Sequence, residues 1–326
     1  MPSSMTHHYF MQDVYNKLDD NIKNKIILNN ATTYAQGPDI FYFYNMGLGK
    51  KNKKYSKMGN YIHKHKVNIY FENIIKYIID NKLTEDNDCI SFLYGAISHF
   101  VLDSTAHPFI FYKTGVFIKG RPSTYKYNGL HQEMEYYIDA YMIFQNEKIE
   151  AKDFKIYKYL LINDSISNNV LNLIGYATKE TYNFNNLDKV YNKCIKDMKR
   201  FYKYFNYDHY GIKKGIYTIA DLITPKRFIQ KRKFSFYLTH NSKKYYLNLE
   251  KNEWNHPCNL YETYNYSFIE LYRIAISKCY NIINEVNDML EKKEFDKERI
   301  DSIFNNLSYT TGKDCDSTDK MKYFEF

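Results

Sequence analysis

Residues 89–107, with the sequence CISFLYGAISHFVLDSTAH, constrain the fold most strongly because they set ligand-type side chains in an apolar helical pattern. His99, Asp103 and His107 follow one another at four-residue steps, so in an α-helix they share one face. Burying two imidazoles and a carboxylate without partners would cost several kcal/mol. A metal ion removes that cost, since zinc accepts both ligand types. The stretch therefore predicts a buried, metal-binding helix; the alternative is a buried histidine–aspartate hydrogen bond without metal.

A second ligand pair follows on the next predicted helix. His131 and Glu135 repeat the four-residue step, and His7 and His63 supply further imidazoles. Seven of the ten histidines precede residue 132, which predicts that the ligands converge in the N-terminal half. His8 and His65 lie near predicted ligands and could bind the metal, support a ligand or be solvated. His209, His240 and His256 have no partner at ligand spacing.

Glycine and proline are sparse, at 12 and 6 among 326 residues, and apolar residues recur between them at three- and four-residue spacing. This pattern predicts an all-α fold: a single compact multi-helix domain over residues 1–309 and a polar, frayed tail over 310–326. The predicted helices are Ser4 to about Ile27 with a Ser3 or Ser4 cap, Asn60 to Asp80, Asp86 to His107, one from Gly129, Val170 to Asn183, Leu187 to Phe205, and Ser267 to Glu291.

Two short segments depart from the helical pattern. Pro108 disfavours helical geometry in the residue before it, so we expect the third helix to end at His107. Alternation between Tyr237 and Leu249 indicates a short hairpin, and Asn252 to Tyr264, which contains the only tryptophan, is expected to be a loop.

The charge, the cysteine content and the N-terminal residues limit the partners and the cellular location that we expect for the chain. The formal charge of +9 favours anionic partners such as phosphates, nucleic acid or an acidic membrane surface. Five scattered cysteines without a CxxC pair indicate reduced thiols. The N-terminus lacks the pattern of a signal peptide, and no stretch is long enough for a transmembrane helix. We therefore expect a cytoplasmic protein, with no prediction of its oligomeric state.

The order and type of these residues resemble a known family. Thr6-His7, Gly37-Pro38-Asp39 and His63 precede the two helical series, as they do in the zinc-dependent phospholipase C family. That family is similar in fold to the zinc-dependent single-strand nucleases. The motifs lie between residues 6 and 135, and the later helices match only in general character.

The resemblance implies two or three zinc ions. His63, His99 and Asp103 would bind the first ion. His107, His131 and Glu135 would bind the second. Asp103 would bridge to a third ion bound by His7, which in secreted members is completed by the amine and carbonyl of an N-terminal tryptophan. This sequence has no tryptophan there, although a free Pro2 amine could substitute, and its Asp103–His107 spacing is tighter than expected.

The resemblance also implies the reaction. Zinc lowers the pKa of a bound water to about 7, which supplies hydroxide for attack on a phosphodiester. Asp39 matches the candidate general base; its alternative role is a turn residue that caps the next helix. The expected function is a phospholipase C that releases diacylglycerol and a phosphorylated headgroup. The alternatives are a zinc-dependent nuclease and a metal-stabilised scaffold without catalysis.

Two surface features could contact the lipid substrate. Basic residues in Lys50–Lys54 and in 226–233 could bind anionic headgroups in a peripheral membrane contact, or could be solvated faces. Aromatic residues in Tyr34–Tyr44 could receive a choline-like cation, or could belong to the core.

Overall fold

The computed structural model describes residues 4–160, 166–225 and 238–325. Within these residues the chain forms α1 Ser4–Lys17, α2 Asp20–Lys23, α3 Leu28–Tyr34, α4 Gly49–Ile62, α5 Val67–Asp80, α6 Asn87–Thr114, α7 Leu130–Glu147, α8 Asn168–Tyr182, α9 Leu187–Phe205, α10 Ile212–Leu222, α11 Phe268–Lys292 and α12 Lys297–Phe304. Short 3-10 helices cover Gly37–Gly47, Pro122–Tyr127, Ile156–Lys158 and Lys244–Leu247. One antiparallel pair, β1 Trp254–His256 and β2 Asn259–Tyr264, completes the described structure. The predicted all-α fold is confirmed.

Helix α6 is the central element of the core. Asp86 caps it by accepting hydrogen bonds from the backbone N–H groups of Asp88 and Cys89, which would otherwise lack partners. The helix packs against α1, α3, α7, α8 and α11, so most of its surface is buried. The face that carries His99 and Asp103 is therefore removed from solvent, as the apolar pattern predicts.

The prediction that this helix ends before Pro108 is wrong, because α6 continues to Thr114. Proline has no N–H to donate to the carbonyl of Ser104 one turn earlier. The backbone of Gly312 lies against that carbonyl: a Cβ on Gly312 would come within 2.5 Å of Ser104 O. A distant part of the chain thus packs on the site where the helical hydrogen bond is missing.

Two predicted long helices are each divided. The first ends at Lys17 and is followed by α2 and α3, and the second is separated into α4 and α5 by a turn with Lys66 at φ +52°. In that turn the carbonyl of His63 accepts hydrogen bonds from Tyr309 N at 3.0 Å and Ser308 Oγ at 3.2 Å. These partners are more than two hundred residues away, so local periodicity does not reveal the break.

The predicted hairpin is misplaced. Tyr237 lies outside the described residues, and the described part of that segment contains the 3-10 helix Lys244–Leu247. The strands instead occupy the segment predicted to be a loop. Trp254 is buried against Phe109 and Tyr264, so tertiary packing of the tryptophan positions the hairpin.

The C-terminal residues are not frayed in the described range. Lys322 N donates to Pro257 O at 2.7 Å, Glu325 N donates to Tyr112 O at 2.9 Å, and Glu325 pairs with Lys113. The division of the chain at residue 309 stays a prediction. All five cysteines are free thiols, as predicted. Among the helices of the described residues, none combines the length and apolar character that a membrane span requires.

Candidate metal centre

Five predicted residues meet around one point, and we call them cluster 1: His7 from α1, Asp39 from the Gly37–Gly47 segment, His63 from the end of α4, and His99 and Asp103 from α6. His7 Nε2 lies 3.2 Å from Asp103 Oδ1, and His99 Nε2 lies 3.2 Å from Asp103 Oδ2. His63 Nε2 lies 3.2 Å from Asp39 Oδ1 and 3.8 Å from Asp103 Oδ2. The ligand atoms of four of these residues lie within 4.8 Å of one another, which suits a shared cation: His7, Asp39, His99 and Asp103.

The other three predicted ligands form cluster 2: His107, His131 and Glu135. Glu135 Oε1 lies 3.1 Å from His131 Nε2 and 3.4 Å from His107 Nε2. The His107 ring also lies beside cluster 1, since its Nδ1 is 3.4 Å from Asp103 Oδ2. The four-residue step from Asp103 to His107 therefore sets the two clusters next to each other.

Backbone carbonyls fix the orientation of three imidazoles. Each ring directs Nδ1 at a carbonyl oxygen: His63 at Gly59 O (2.7 Å), His99 at Ala35 O (2.9 Å) and His107 at Tyr309 O (2.9 Å). A hydrogen bond donated by Nδ1 leaves the Nε2 lone pair free for a cation, and such contacts orient metal-ligating histidines. Tyr309 is a contributor that the sequence analysis missed, because it acts through its main chain.

Unpartnered buried atoms test whether a metal fits. Among the described residues, His99 Nε2 and Asp103 Oδ2 are both buried and have no hydrogen-bond partner, although they face each other at 3.2 Å. Buried polar atoms normally have partners, because leaving one unpaired costs about 1–3 kcal/mol. A cation between them would satisfy both atoms. Imidazole and carboxylate are the ligands zinc accepts, so the residues fit zinc.

The electrostatics of the clusters favour ionised carboxylates. Burial acts to raise the pKa of Asp103, but the imidazoles of His107, His99 and His7 hold it well below its usual range. For Glu135, burial is likewise outweighed by His131, and the pKa is lowered. Burial acts to lower the pKa of His107, yet Asp103 and Glu135 raise it to about 9. Without metal, the acids are therefore charged and His107 holds a proton at neutral pH.

Gly37 lets the backbone approach cluster 1 closely. Its φ is +52°, and a Cβ there would lie 2.5 Å from Cγ of the His99 ring. Only glycine fits both the left-handed conformation and the contact. The Gly-Pro-Asp motif thus sets Asp39 against His99 through the absence of a side chain.

Comparison with known families agrees with this geometry. The family described as zinc dependent phospholipase C has a model that matches residues 6–193, which is more than half of the chain. The chain belongs to the zinc-dependent phospholipase C family. A search of curated proteins and a search of solved structures found no match. The family is zinc-dependent, and clusters 1 and 2 are buried groups of this phospholipase C family member that could bind the metal.

Asp139 holds the start of the helix that carries His7 in this phospholipase C family member, and the sequence analysis missed it. It accepts hydrogen bonds from Met5 N at 3.2 Å and from the N and Oγ1 of Thr6, both at 2.7 Å. It therefore holds the start of α1, one residue before His7. Despite these donors, burial raises the pKa of Asp139 to about 7. A continuation of the four-residue step from His131 and Glu135 to position 139 was the available signal.

One open cavity of about 480 Å³ borders both clusters. It is lined by Asp39 and His63 of cluster 1 and by all three residues of cluster 2. Ligand sites of this kind have volumes of about 300–1,000 Å³. The phospholipase C family member can therefore admit a molecule of substrate size beside both candidate metal groups.

Among the aromatic residues of Tyr34–Tyr44 that were predicted to receive a choline-like cation, one lines the cavity. Tyr42 lines it and lies over His63, with ring centroids 6.3 Å apart, whereas Phe41 and Phe43 are buried in the core. Phe111 and Tyr127 supply further aromatic lining that the sequence did not indicate. A cation–π contact would therefore involve Tyr42 among the predicted residues.

The remaining predicted residues lie apart from the two clusters or outside the described residues. His8 is buried against Tyr9 and Tyr159, and burial lowers its pKa to about 4. The others have partners elsewhere: His65 with Tyr61, His209 with Asp153, His240 with Glu150 and His256 with Thr311 O. The lysines of Lys50–Lys54 are exposed. Met1, Pro2, Ser3 and 226–233 lie outside the described residues, so the proposed Pro2 ligand, the Ser3 cap and the second basic stretch stay predictions.

Proposed function

We propose that this protein is a zinc-dependent phosphodiester hydrolase of the phospholipase C type. The observation that carries the proposal is the open cavity that borders both clusters, because a phosphodiester placed there would meet both groups of ligands at once. A metal-stabilised scaffold needs no open side at its ligands, whereas a catalytic site does. The cavity therefore supports catalysis over the scaffold alternative.

The proposed ligand sets are those that the resemblance to the family implies. One zinc would be held by His63, His99 and Asp103, and a second by the three residues of cluster 2. His7 lies on the other oxygen of the Asp103 carboxylate, as a third site would require. Zinc in these positions would supply Lewis-acid stabilisation of phosphodiester charge and a lowered pKa for water. The number of ions is part of the proposal.

Asp39 is the proposed general base. Its carboxylate lines the cavity, and although burial acts to raise its pKa, His63 and His99 lower it. The group is therefore ionised at neutral pH and able to take a proton from an attacking water. Its distances of 3.2 Å from His63 Nε2 and 3.8 Å from His99 Nε2 also fit a metal ligand.

Asp39→Asn separates these two roles. Asparagine keeps the shape but cannot accept the proton, so we expect hydrolysis to fall at least about a hundredfold while zinc content and folding persist. Loss of zinc together with hydrolysis would assign Asp39 to the metal instead. Zinc content measured by elemental mass spectrometry and unfolding followed by circular dichroism distinguish the outcomes. His209→Gln, a change at a histidine outside both clusters, is the matched control.

The substrate is tested by product analysis with the zinc-loaded full chain. Release of diacylglycerol and a phosphorylated headgroup from phosphatidylcholine or phosphatidylethanolamine supports the phospholipase C proposal. Release of nucleotides with a 5′ phosphate from a single-stranded oligonucleotide, without lipid cleavage, would overturn it in favour of a nuclease. Cytoplasmic location and the choice of headgroup stay predictions.

A further inference from the structure

Helix α10 presents an apolar face to solvent. Ile212, Ile216, Ile219 and Ile223 recur at the spacing that places them on one side of a helix, and their exposed fractions are 65%, 58%, 68% and 84%. Leu222, at 82% exposed, widens the face. We call these five residues the α10 face. Contiguous exposed apolar surface of this kind marks an interaction site, whereas single exposed apolar residues need no explanation.

The first turn of α10 is fixed by hydrogen bonds to the segment that precedes it. Asp208 accepts hydrogen bonds from Lys213 N at 3.0 Å and Lys214 N at 2.9 Å, and Lys213 Nζ donates to Tyr207 O at 2.6 Å. Asp221 on the same helix is buried. The first turn of α10 is therefore capped by the residues before it, and the side of the helix opposite the isoleucines carries the buried Asp221.

The positive charge of the chain is concentrated in the part of the sequence that includes this helix, of which residues 226–233 lie outside the described structure. Residues 193–233 contain twelve lysines and arginines and three aspartates, a net charge of +9 that equals the charge of the whole chain. The other residues, with 34 basic and 34 acidic side chains, balance. Two copies joined through the α10 face would bring two such segments together, and their like charges would repel. An anionic partner is favoured instead.

We propose that the α10 face docks this protein on the surface of an anionic phospholipid bilayer. An amphipathic helix with isoleucines on one side can lie in the plane of the interface and bury its apolar face among the acyl chains. Neighbouring lysines and arginines then lie at the level of the headgroups, where each contributes attraction to anionic lipid. The helix follows the family-matched residues 6–193, so docking is a feature of this chain beyond its proposed hydrolase activity.

Vesicle flotation with the full chain tests the proposal. We expect binding to vesicles of phosphatidylcholine with phosphatidylserine, much weaker binding to phosphatidylcholine alone, and loss of binding as sodium chloride is raised. Ile216→Ser with Ile219→Ser should lower the partition coefficient at least about tenfold, because two large apolar side chains no longer enter the bilayer. The matched control is Leu260→Ser with Tyr261→Ser, which changes two exposed apolar residues on β2.

The test is independent of hydrolysis. Asp39→Asn alters the cavity and leaves the α10 face intact, so it should bind vesicles as the wild type does whether or not the proposed function holds. Equal binding by the wild type and the isoleucine variant would overturn the proposal. So would sedimentation velocity that shows a dimer dissociated by the isoleucine variant, without vesicle binding by the wild type. Unchanged far-ultraviolet circular dichroism of the variant establishes that it is folded.

Discussion

Clusters 1 and 2 and the α10 face depart in opposite directions from the usual distribution of polar and apolar residues. His99 is fully buried and Asp103 is 5% exposed, whereas Ile219 on α10 and Ile223 directly after it are 68% and 84% exposed. Proteins normally bury isoleucine and expose charged groups. Each departure is costly until a ligand of matching chemistry is bound, which in our proposals is zinc for the clusters and a bilayer for α10. Buried polar residues and exposed apolar residues therefore both indicate where a ligand binds.

The strongest test of the cluster half of this comparison is Asp103→Asn. The carboxylate lies within 4 Å of four imidazoles, so the amide removes the charge that both clusters share. We expect zinc content to fall and hydrolysis to drop by more than about a hundredfold, since weakening even an outer contact of a metal site costs about 10–100-fold. Elemental mass spectrometry and a phosphodiesterase assay measure both, with His209→Gln as control. Unchanged zinc content would contradict the metal assignment.

Gly37→Ala tests whether the close backbone approach supports cluster 1. The new Cβ would meet the His99 ring at 2.5 Å and would strain a left-handed backbone. We expect zinc affinity to fall about 10–100-fold, measured by competition with a chelator. Gly49→Ala is the matched control, because Gly49 has φ +83° and nothing within 4 Å of its Cβ position. An equal effect of both changes would attribute the loss to backbone strain alone.

Zinc binding at cluster 2 should depend on pH. Asp103 and Glu135 outweigh burial and raise the pKa of His107 to about 9 in the metal-free protein, so zinc must displace a proton. Affinity should therefore rise about tenfold per pH unit from neutral pH until about pH 9, and then level off. Calorimetry in buffers of different ionisation enthalpy measures the released proton. A binding enthalpy that does not vary with the buffer would refute the protonated state of His107.

Asp139→Asn tests the support of α1. An amide retains one acceptor oxygen but sets an NH₂ group against the donors of Met5 and Thr6, so a buried donor is left unpaired. The free energy of unfolding should fall by about 1–3 kcal/mol, measured by denaturant titration. Asp153→Asn, which alters a pair with the half-exposed His209, should cost less than about 1 kcal/mol. Similar costs for both would remove Asp139 from the supporting residues.

The smallest effect is expected for a change on the α10 face, which tests whether this face is exposed in the folded protein. Ile219→Ala should change the free energy of unfolding by less than about 0.5 kcal/mol, because the side chain is mostly in solvent. The same change at the buried Ile283 on α11 should cost about 2–5 kcal/mol. Denaturant titration of both variants measures the contrast. A comparable loss at Ile219 would show that the α10 face is packed in the folded protein.

Helix α9 and helix α10 show how far sequence patterns reach. The prediction of a helix from Leu187 to Phe205 matches α9 at both ends, since its apolar residues recur regularly on a buried face. No helix was predicted at Ile212–Leu222, although its isoleucines recur at helical spacing; they face solvent, and the opposite side carries the buried Asp221. Apolar spacing reveals a helix but does not tell whether its apolar side meets the core.

The sequence by itself determined the all-α fold and the ligand-type residues, because the four-residue step from His99 to Asp103 and from His131 to Glu135 is local geometry. Only the tertiary structure decided how these residues are held. The carbonyl of Tyr309 orients His107, and Gly312 packs on the carbonyl freed by Pro108. These contacts join segments about two hundred residues apart through main-chain atoms, which every residue type shares, so no sequence pattern could specify them.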